Sequence, residues 1–156
     1  MKRYVREAGT VTVQRWLASA TAATSRLSEV EVSSGIVRRA REGALTARRR
    51  DWMLAAFERD LPALAIVELI PEITGQARTL LLRHPLRAAD AIQLASCLYL
   101  QRQLAESVAF IAFDRRLAQA AHSEGLHVVP APAGVPTVTM RRRKPRTSSA
   151  SRQPGS

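Results

Sequence analysis

The stretch AADAIQLASCLYLQRQLA, residues 88–105, is the part of the sequence that best predicts the fold. It is rich in Ala and Leu, which favour helices, and its apolar residues lie on nearly every face of such a helix. Because a helix that is apolar all round has to be covered, we predict a buried helix from Arg87 to about Leu104. One acid, Asp90, lies in the first turn of this helix, among Ala88, Ala89, Ala91 and Ile92.

Helices and strands are predicted to alternate on both sides of this buried helix. Upstream, the pattern predicts a helix beginning near Thr10, a strand ending at 22–24, a helix over 26–42 capped by Ser25, a helix from Thr46 to Asp60, a strand over Leu64–Leu69 and a helix over Pro71–Arg83. Downstream it predicts a buried strand over Val108–Phe113, a helix over 115–124 and a last strand over Leu126–Val129. This alternation is typical of an α/β domain with a mainly parallel sheet, whose sites lie at the C-terminal ends of the strands.

The charge of the chain is positive but unevenly distributed. The net charge is +11, and residues 137–156 hold 6 of the 24 basic residues and no acid. Residues 1–136 therefore hold 18 basic and 13 acidic residues, a net charge of +5. A basic surface suits a polyanion such as RNA, although the charge alone is better explained by a solvated, Arg-rich surface. Residues 130–156, rich in Pro, Ser and Arg, are predicted to be a disordered basic tail, which leaves 1–129 as one domain.

Several classes of protein are not expected because the sequence lacks their signals. A single cysteine, Cys97, excludes an internal disulfide and fits the reducing cytoplasm. No apolar stretch approaches the ~20 residues needed to cross a bilayer, so no membrane association is expected. The three histidines lack metal-ligand spacing, and no Gly-rich phosphate loop is present, so nucleotide hydrolysis of the P-loop type is not expected.

Three acids lie in apolar surroundings and are the candidate site residues. Asp90 begins the buried helix, Asp114 follows the last residue of an apolar strand, and Glu31 borders the apolar stripe of the helix over 26–42. Carboxylates that converge in a cleft repel one another unless a cation enters, and Mg²⁺ or Mn²⁺ prefers such oxygen ligands. An ion held there could activate water and stabilise the charge that develops on a phosphate under attack.

Each of these acids also has a structural explanation. Asp90 is a favourable anion at a helix N-terminus, Asp114 is a suitable N-cap for the following helix, and Glu31 could pair with Arg38 or Arg39. Taken one at a time, the acids are better explained by these structural roles. Taken together, they leave a metal site and three separate structural roles equally open.

The chain resembles the PIN-domain family, and within it the VapC-type toxins of bacterial toxin–antitoxin pairs. The resemblance rests on three stretches: TSRLSEVEVSSGIVRRAREG at 24–43, LRAADAIQLASCLYL at 86–100 and FIAFDRRLAQAAHSEGLHVV at 110–129. Of these, AADAIQLA is the most specific, and the other two follow in the order and spacing of the family. The resemblance covers nearly all of residues 1–129, and it implies a three-layer α/β/α PIN-like fold and a Mg²⁺- or Mn²⁺-dependent endoribonuclease.

The resemblance also gives the three acids a shared role. Glu31, rather than Glu29, matches the second acid of the family, Asp90 matches the third and Asp114 the fourth. They would be the catalytic and metal-binding residues, and a metal-bound water would attack RNA. The family often has a Thr two residues before the last Asp, where this chain has Ala112. A cognate antitoxin that blocks the acidic cleft and a homodimer are the partners that the resemblance implies.

The front of the chain departs from the family pattern. Family members open with a strand that carries the first Asp, whereas this chain begins at the turn that follows it, MKRYVREAGT at 1–10. The first strand and the first acid are therefore expected to be missing. Two explanations stay open: the true start lies upstream of Met1, or the gene has decayed and its product folds poorly and cuts little.

Two functions follow from these alternatives. The first is a metal-dependent endoribonuclease, the toxin of a type II toxin–antitoxin pair, which could be inactive through loss of the first acid. The second is a non-catalytic protein that keeps the fold and binds an antitoxin or RNA without turnover.

Overall fold

The structure, a computed structural model, describes residues 22–129. In chain order its elements are strand β1 (Ala23–Ser25), helix α1 (Leu27–Arg41), helix α2 (Ala47–Asp60), a 3₁₀ turn (Leu61–Ala63), strand β2 (Ala65–Val67), helix α3 (Pro71–Arg83), helix α4 (Ala88–Leu104), strand β3 (Ala109–Ile111), helix α5 (Arg115–Ser123) and strand β4 (His127–Val129). Each helix and strand predicted within this range is present, although the later strands are shorter than predicted. The helix predicted near Thr10 and the tail predicted over 130–156 lie outside the described residues.

The four described strands form two parallel pairs. β1 pairs with β2, with Ser25 opposite Val67, and β3 pairs with β4, with Ile111 opposite Val129. Parallel strands need a crossover, and here helices supply it: α1 and α2 connect the first pair, and α5 connects the second. The predicted α/β class with parallel pairing is confirmed.

Several helix ends are set by single residues. Thr46 caps α2 as predicted, because its Oγ1 accepts a hydrogen bond of 3.2 Å from the backbone N–H of Arg49. Pro71 occupies the first position of α3, where its missing N–H costs nothing. Gly125 follows α5 with φ of +82°, a left-handed conformation that most other residues adopt only with strain.

Helix α4 lies at the centre of the hydrophobic core, as its composition predicted. Leu94 and Ala95 are fully buried and belong to one cluster with Leu80 of α3 and Leu117 of α5. Burying a leucine side chain contributes ~1.5–3 kcal/mol, so this cluster fixes the position of α4 firmly. Its first turn, which carries Asp90, is thereby held at the edge of the core.

Two local predictions were wrong. The strand over Val108–Phe113 was predicted to be buried, but Ile111 is 40% exposed, because the short β3–β4 pair leaves part of its surface uncovered by the described chain. Ser25 was predicted to cap α1, but the cap position is Arg26. Ser25 instead ends β1, where its buried hydroxyl accepts a long hydrogen bond of 3.4 Å from the N–H of Leu27.

Within residues 22–129, no helix combines the length and the apolar composition that a bilayer span requires.

Candidate acidic site

Asp90 is the third residue of α4 and lies half-buried at its N-terminal end. Burial raises the pKa of its carboxyl group, and the negative charges of Asp114 and Glu31 raise it further. A hydrogen bond from the backbone N–H of Arg87 and the positive charge of the Arg87 side chain act in the opposite direction and lower this pKa. The structural role considered from sequence is therefore real, because Asp90 does bind the free N–H at the start of its helix. The net shift is nevertheless upward, so burial and repulsion by like charges dominate.

Asp114 lies at the C-terminal side of β3 and is the N-cap of α5. Its Oδ1 accepts hydrogen bonds from the backbone N–H groups of Arg116, at 2.9 Å, and Leu117, at 3.0 Å. The capping role considered from sequence is thus confirmed. It uses one carboxylate oxygen only, and Oδ2 receives no hydrogen bond from residues 22–129, so capping does not prevent Asp114 from acting as a ligand.

Glu31 lies exposed on α1 and is oriented by a glutamine that sequence reasoning did not single out. Gln93 of α4 donates from Nε2 to Glu31 Oε2 at 3.0 Å and to Ser28 Oγ at 2.8 Å. The Ser28 hydroxyl in turn shares a 2.6 Å hydrogen bond with the Thr24 hydroxyl. This polar chain connects β1, α1 and α4. The only sequence signal for it is that Gln93 follows Asp90 by three residues, which places both on one side of α4.

The three acids come close enough to influence one another but do not form a tight cluster. The charges of both Glu31 and Asp114 act on Asp90. Among residues 22–129, however, no group of three His, Cys, Asp or Glu side chains lies close enough to enclose one metal ion. The donor set, three carboxylates with one oxygen of Asp114 uncommitted, suits Mg²⁺ or Mn²⁺. These ions keep several waters and often bind through one or two carboxylates, so a hydrated ion fits the site better than one with three direct protein ligands.

A further acid at this edge of the sheet, Glu68, was not singled out from sequence. It follows β2 and binds the guanidinium of Arg26, whose Nε donates to Glu68 Oε2 at 3.0 Å and whose other nitrogens bind Glu68 and Glu29. Arg26 holds the pKa of the Glu68 carboxyl below its usual range. Glu68 and Glu29 are therefore paired with a cation of the chain itself, whereas the charge of Arg87 offsets only part of the upward shift at Asp90.

Comparison with known proteins shows which family and which relatives the chain is similar to. The PIN domain family matches residues 4–123, a span that contains Glu31, Asp90 and Asp114. Ribonuclease VapC45 of Mycobacterium tuberculosis (strain CDC 1551 / Oshkosh) is 34% identical over 121 residues, which cover 74% of this chain and 78% of that protein. Ribonuclease VapC49 of Mycobacterium tuberculosis (strain ATCC 25618 / H37Rv) matches with the same identity and the same coverage.

Proposed function

The chain belongs to the PIN-domain family, and we propose that it is a divalent-metal-dependent endoribonuclease, the toxin of a type II toxin–antitoxin pair. The observation that carries the proposal is the burial and the electrostatic environment of the Asp90 carboxyl group. Its carboxyl group is half-buried and lies within the field of two further acids, and the charge of Arg87, which lowers its pKa, does not offset these effects. Glu68, by contrast, forms an ion pair with Arg26, and its pKa is lowered.

Asp90, Asp114 and Glu31 are the residues that would hold Mg²⁺ or Mn²⁺. Such an ion would supply a water of lowered pKa and positive charge beside the phosphate under attack. Asp90 contributes a carboxylate whose repulsion by its neighbours favours cation binding. Asp114 offers Oδ2 while its Oδ1 stays fixed on the α5 N-terminus. Glu31 is kept in place by Gln93.

The proposal extends to partners and compartment. An RNA substrate and a cognate antitoxin are proposed because the relatives are ribonucleases with VapC names. A homodimer is proposed because large apolar side chains remain on the surface, among them Leu82 at 89% exposure and Val30 at 67%. The cytoplasm is proposed because Cys97 is a free thiol and the substrate is RNA.

Metal-dependent cleavage of RNA by the purified full-length protein tests this function. Wild type should cut a mixed single-stranded RNA with Mg²⁺ or Mn²⁺ and stop in EDTA. Asp90→Asn should reduce the rate at least about 100-fold, because it removes a carboxylate that acts on the charged transition state. Glu58→Gln, an exposed acid elsewhere on α2, is the matched control and should cleave like wild type. Unchanged cleavage in Asp90→Asn would contradict the site assignment.

A second candidate function, binding without turnover, is favoured by the spacing of the acids. Because no three of them enclose a single ion within the described chain, the site could bind RNA or an antitoxin and still lack catalysis. RNA binding in EDTA together with no cleavage in either metal would support this alternative. Cleavage that is lost in Asp90→Asn would exclude it.

A further inference from the structure

Helix α1 carries two arginines, Arg38 and Arg41, that lie C-terminal to Glu31 along the same side of the helix. Arg38 follows Glu31 by seven residues, which is close to two full turns, so both lie on nearly the same face about 10 Å apart along the helix axis. Arg41 lies about 5 Å further, one turn beyond Arg38. Both arginines are exposed. A row of two cations therefore begins near the acidic site and runs to the end of α1.

The charges of Arg38 and Arg41 are not compensated by the described part of the chain. Within residues 22–129, neither makes an ion pair or a side-chain hydrogen bond, although Glu42 lies one turn beyond Arg38. Other arginines do pair with carboxylates: Arg26 with Glu68, Arg50 with Asp51, Arg83 with Glu124 and Arg102 with Glu72. The guanidinium groups of Arg38 and Arg41 are thus available to an anion from outside.

The surroundings of these two arginines are also cationic. Residues 37–51 hold six arginines and two acids, Glu42 and Asp51, of which Asp51 pairs with Arg50. The acidic site by itself repels a polyanion, so a substrate made of phosphates needs an adjacent positive surface to remain near it. Guanidinium groups suit this task because their planar fork can bind two phosphate oxygens at once.

An apolar cavity follows Arg41 between α1 and α2. Its volume is about 330 Å³, and Arg41 and Arg50 lie beside apolar lining residues such as Val37, Leu45 and Leu54. None of its lining residues within 22–129 is aromatic, so these residues offer no platform on which a base could stack. This end of α1 is therefore suited to contacts with the phosphate backbone rather than to reading bases.

From these observations we propose that Arg38 and Arg41 form a track on α1 that binds the phosphates of single-stranded RNA next to the acidic site. This inference rests on the proposed ribonuclease function and names the surface that holds its substrate. The track binds without sequence preference, because phosphates carry no sequence information.

An acidic protein segment is the competing occupant, and the surface favours RNA. Protein interfaces depend on buried apolar or aromatic anchors. Among residues 22–129, the large exposed apolar side chains nearest to the two arginines are Val30, one residue before Glu31, and Trp52 on α2, whose ring lies under the guanidinium of Arg49. Neither lies between Arg38 and Arg41, so the part of α1 that carries these two arginines offers charge without an apolar anchor, which matches a phosphate backbone.

RNA affinity measured without metal tests the track. Full-length protein is titrated into a fluorescently labelled, mixed-sequence single-stranded RNA in EDTA, and anisotropy is followed at several salt concentrations. The variant Arg38→Gln/Arg41→Gln should bind about ten-fold more weakly at moderate salt. The slope of log affinity against log salt should decrease by about 1.4, as expected for two lost phosphate contacts to a single strand.

Arg59→Gln/Arg78→Gln is the matched control, because it removes the same charge from exposed positions on α2 and α3. It should bind RNA within about two-fold of wild type. Arg38→Lys/Arg41→Lys should keep most of the affinity, and circular dichroism checks that each variant is folded. Equal losses in both glutamine variants would show an effect of net charge alone and would overturn the track. Unchanged RNA affinity in Arg38→Gln/Arg41→Gln would also overturn the track. This includes the case in which that variant loses binding to an acidic protein but keeps its affinity for RNA.

The readout separates this inference from the proposed function. Binding in EDTA does not need the catalytic metal, so loss of the track leaves the cleavage test with Asp90→Asn intact. A protein that cleaves RNA but binds it equally well without Arg38 and Arg41 contradicts the track alone.

Discussion

Gln93 donates a 3.0 Å hydrogen bond from Nε2 to Glu31 Oε2, and this bond joins two helices at residues 62 positions apart. The same Nε2 donates to Ser28 Oγ at 2.8 Å, so the amide is fixed at two points. One oxygen of Glu31 is thereby held at a constant position relative to Asp90, which lies one turn earlier on α4. Gln93 acts on the acidic site through Glu31 and is a positioning residue.

Replacing Gln93 with leucine should weaken metal binding without unfolding the protein. Loss of the amide frees the Glu31 side chain to rotate, so we expect Mn²⁺ affinity to decrease by about three- to ten-fold. This loss lies at or below the lower end of the range observed when residues that orient metal ligands are replaced. Isothermal titration calorimetry with Mn²⁺ measures this. Gln103→Leu, an exposed position on the same helix, is the control and should leave the affinity unchanged. If Gln93→Leu binds Mn²⁺ like wild type, Glu31 needs no such positioning.

The raised pKa of Asp90 predicts how stability depends on pH. A carboxyl group whose pKa is higher in the folded state favours folding at low pH, and this contribution is lost as the pH rises through the folded-state pKa. At pH 7 in EDTA, Asp90→Asn should therefore melt at the same or a higher temperature than wild type. The difference should disappear below the ordinary pKa of Asp, about 3.9.

Added metal should reverse this order, because a cation relieves the repulsion that Asp90 experiences. Millimolar Mn²⁺ at pH 7 should raise the melting temperature of wild type more than that of Asp90→Asn. Differential scanning calorimetry measures both conditions. A lower melting temperature for Asp90→Asn in EDTA at pH 7 would mean that the hydrogen bond to Arg87 outweighs burial.

The core around α4 predicts a large stability difference between two leucines. Leu94 is fully buried, whereas Leu82 is 89% exposed. Leu94→Ala should reduce the free energy of unfolding by about 2–5 kcal/mol, since it removes buried atoms and leaves a cavity. Leu82→Ala should change it by less than about 0.5 kcal/mol. Urea denaturation of the two variants gives these values, and similar losses in both would contradict the assigned core.

Local chemistry explains which elements the sequence predicted well. Helix α3 was predicted with both ends correct, because Pro71 favours the first helical position and Pro85 prevents continuation. Thr46 and Gly125 fixed other helix ends in the same way. The burial of β3 was wrong because the exposure of Ile111 depends on what covers the strand, and an apolar run of residues contains no such information.

The residues of the candidate site also differ in whether a local sequence rule could predict them. Asp90 and Asp114 were found because each follows a local rule, an acid at a helix start or at a strand end. Glu31 was distinguished from Glu29 only through the resemblance to the family. Gln93 and the Arg26–Glu68 pair were missed, because each contact joins residues 42 or more positions apart, which only the folded chain brings together.

The two roles of Asp114 can be separated by choosing the replacement. Its Oδ1 caps α5 through the N–H groups of Arg116 and Leu117, while a metal would use the second oxygen and the negative charge. Serine is also a good N-cap, so Asp114→Ser should keep the stability of wild type to within about 0.5 kcal/mol, whereas Asp114→Ala should lose about 1 kcal/mol. Both variants lack the carboxylate, so both should lose Mn²⁺ affinity and RNA cleavage to the same extent. Urea denaturation and calorimetric titration of the two proteins give the comparison. If Asp114→Ser binds Mn²⁺ as tightly as wild type, the carboxylate is only a helix cap, and the metal would have to be held by Asp90 and Glu31 without it.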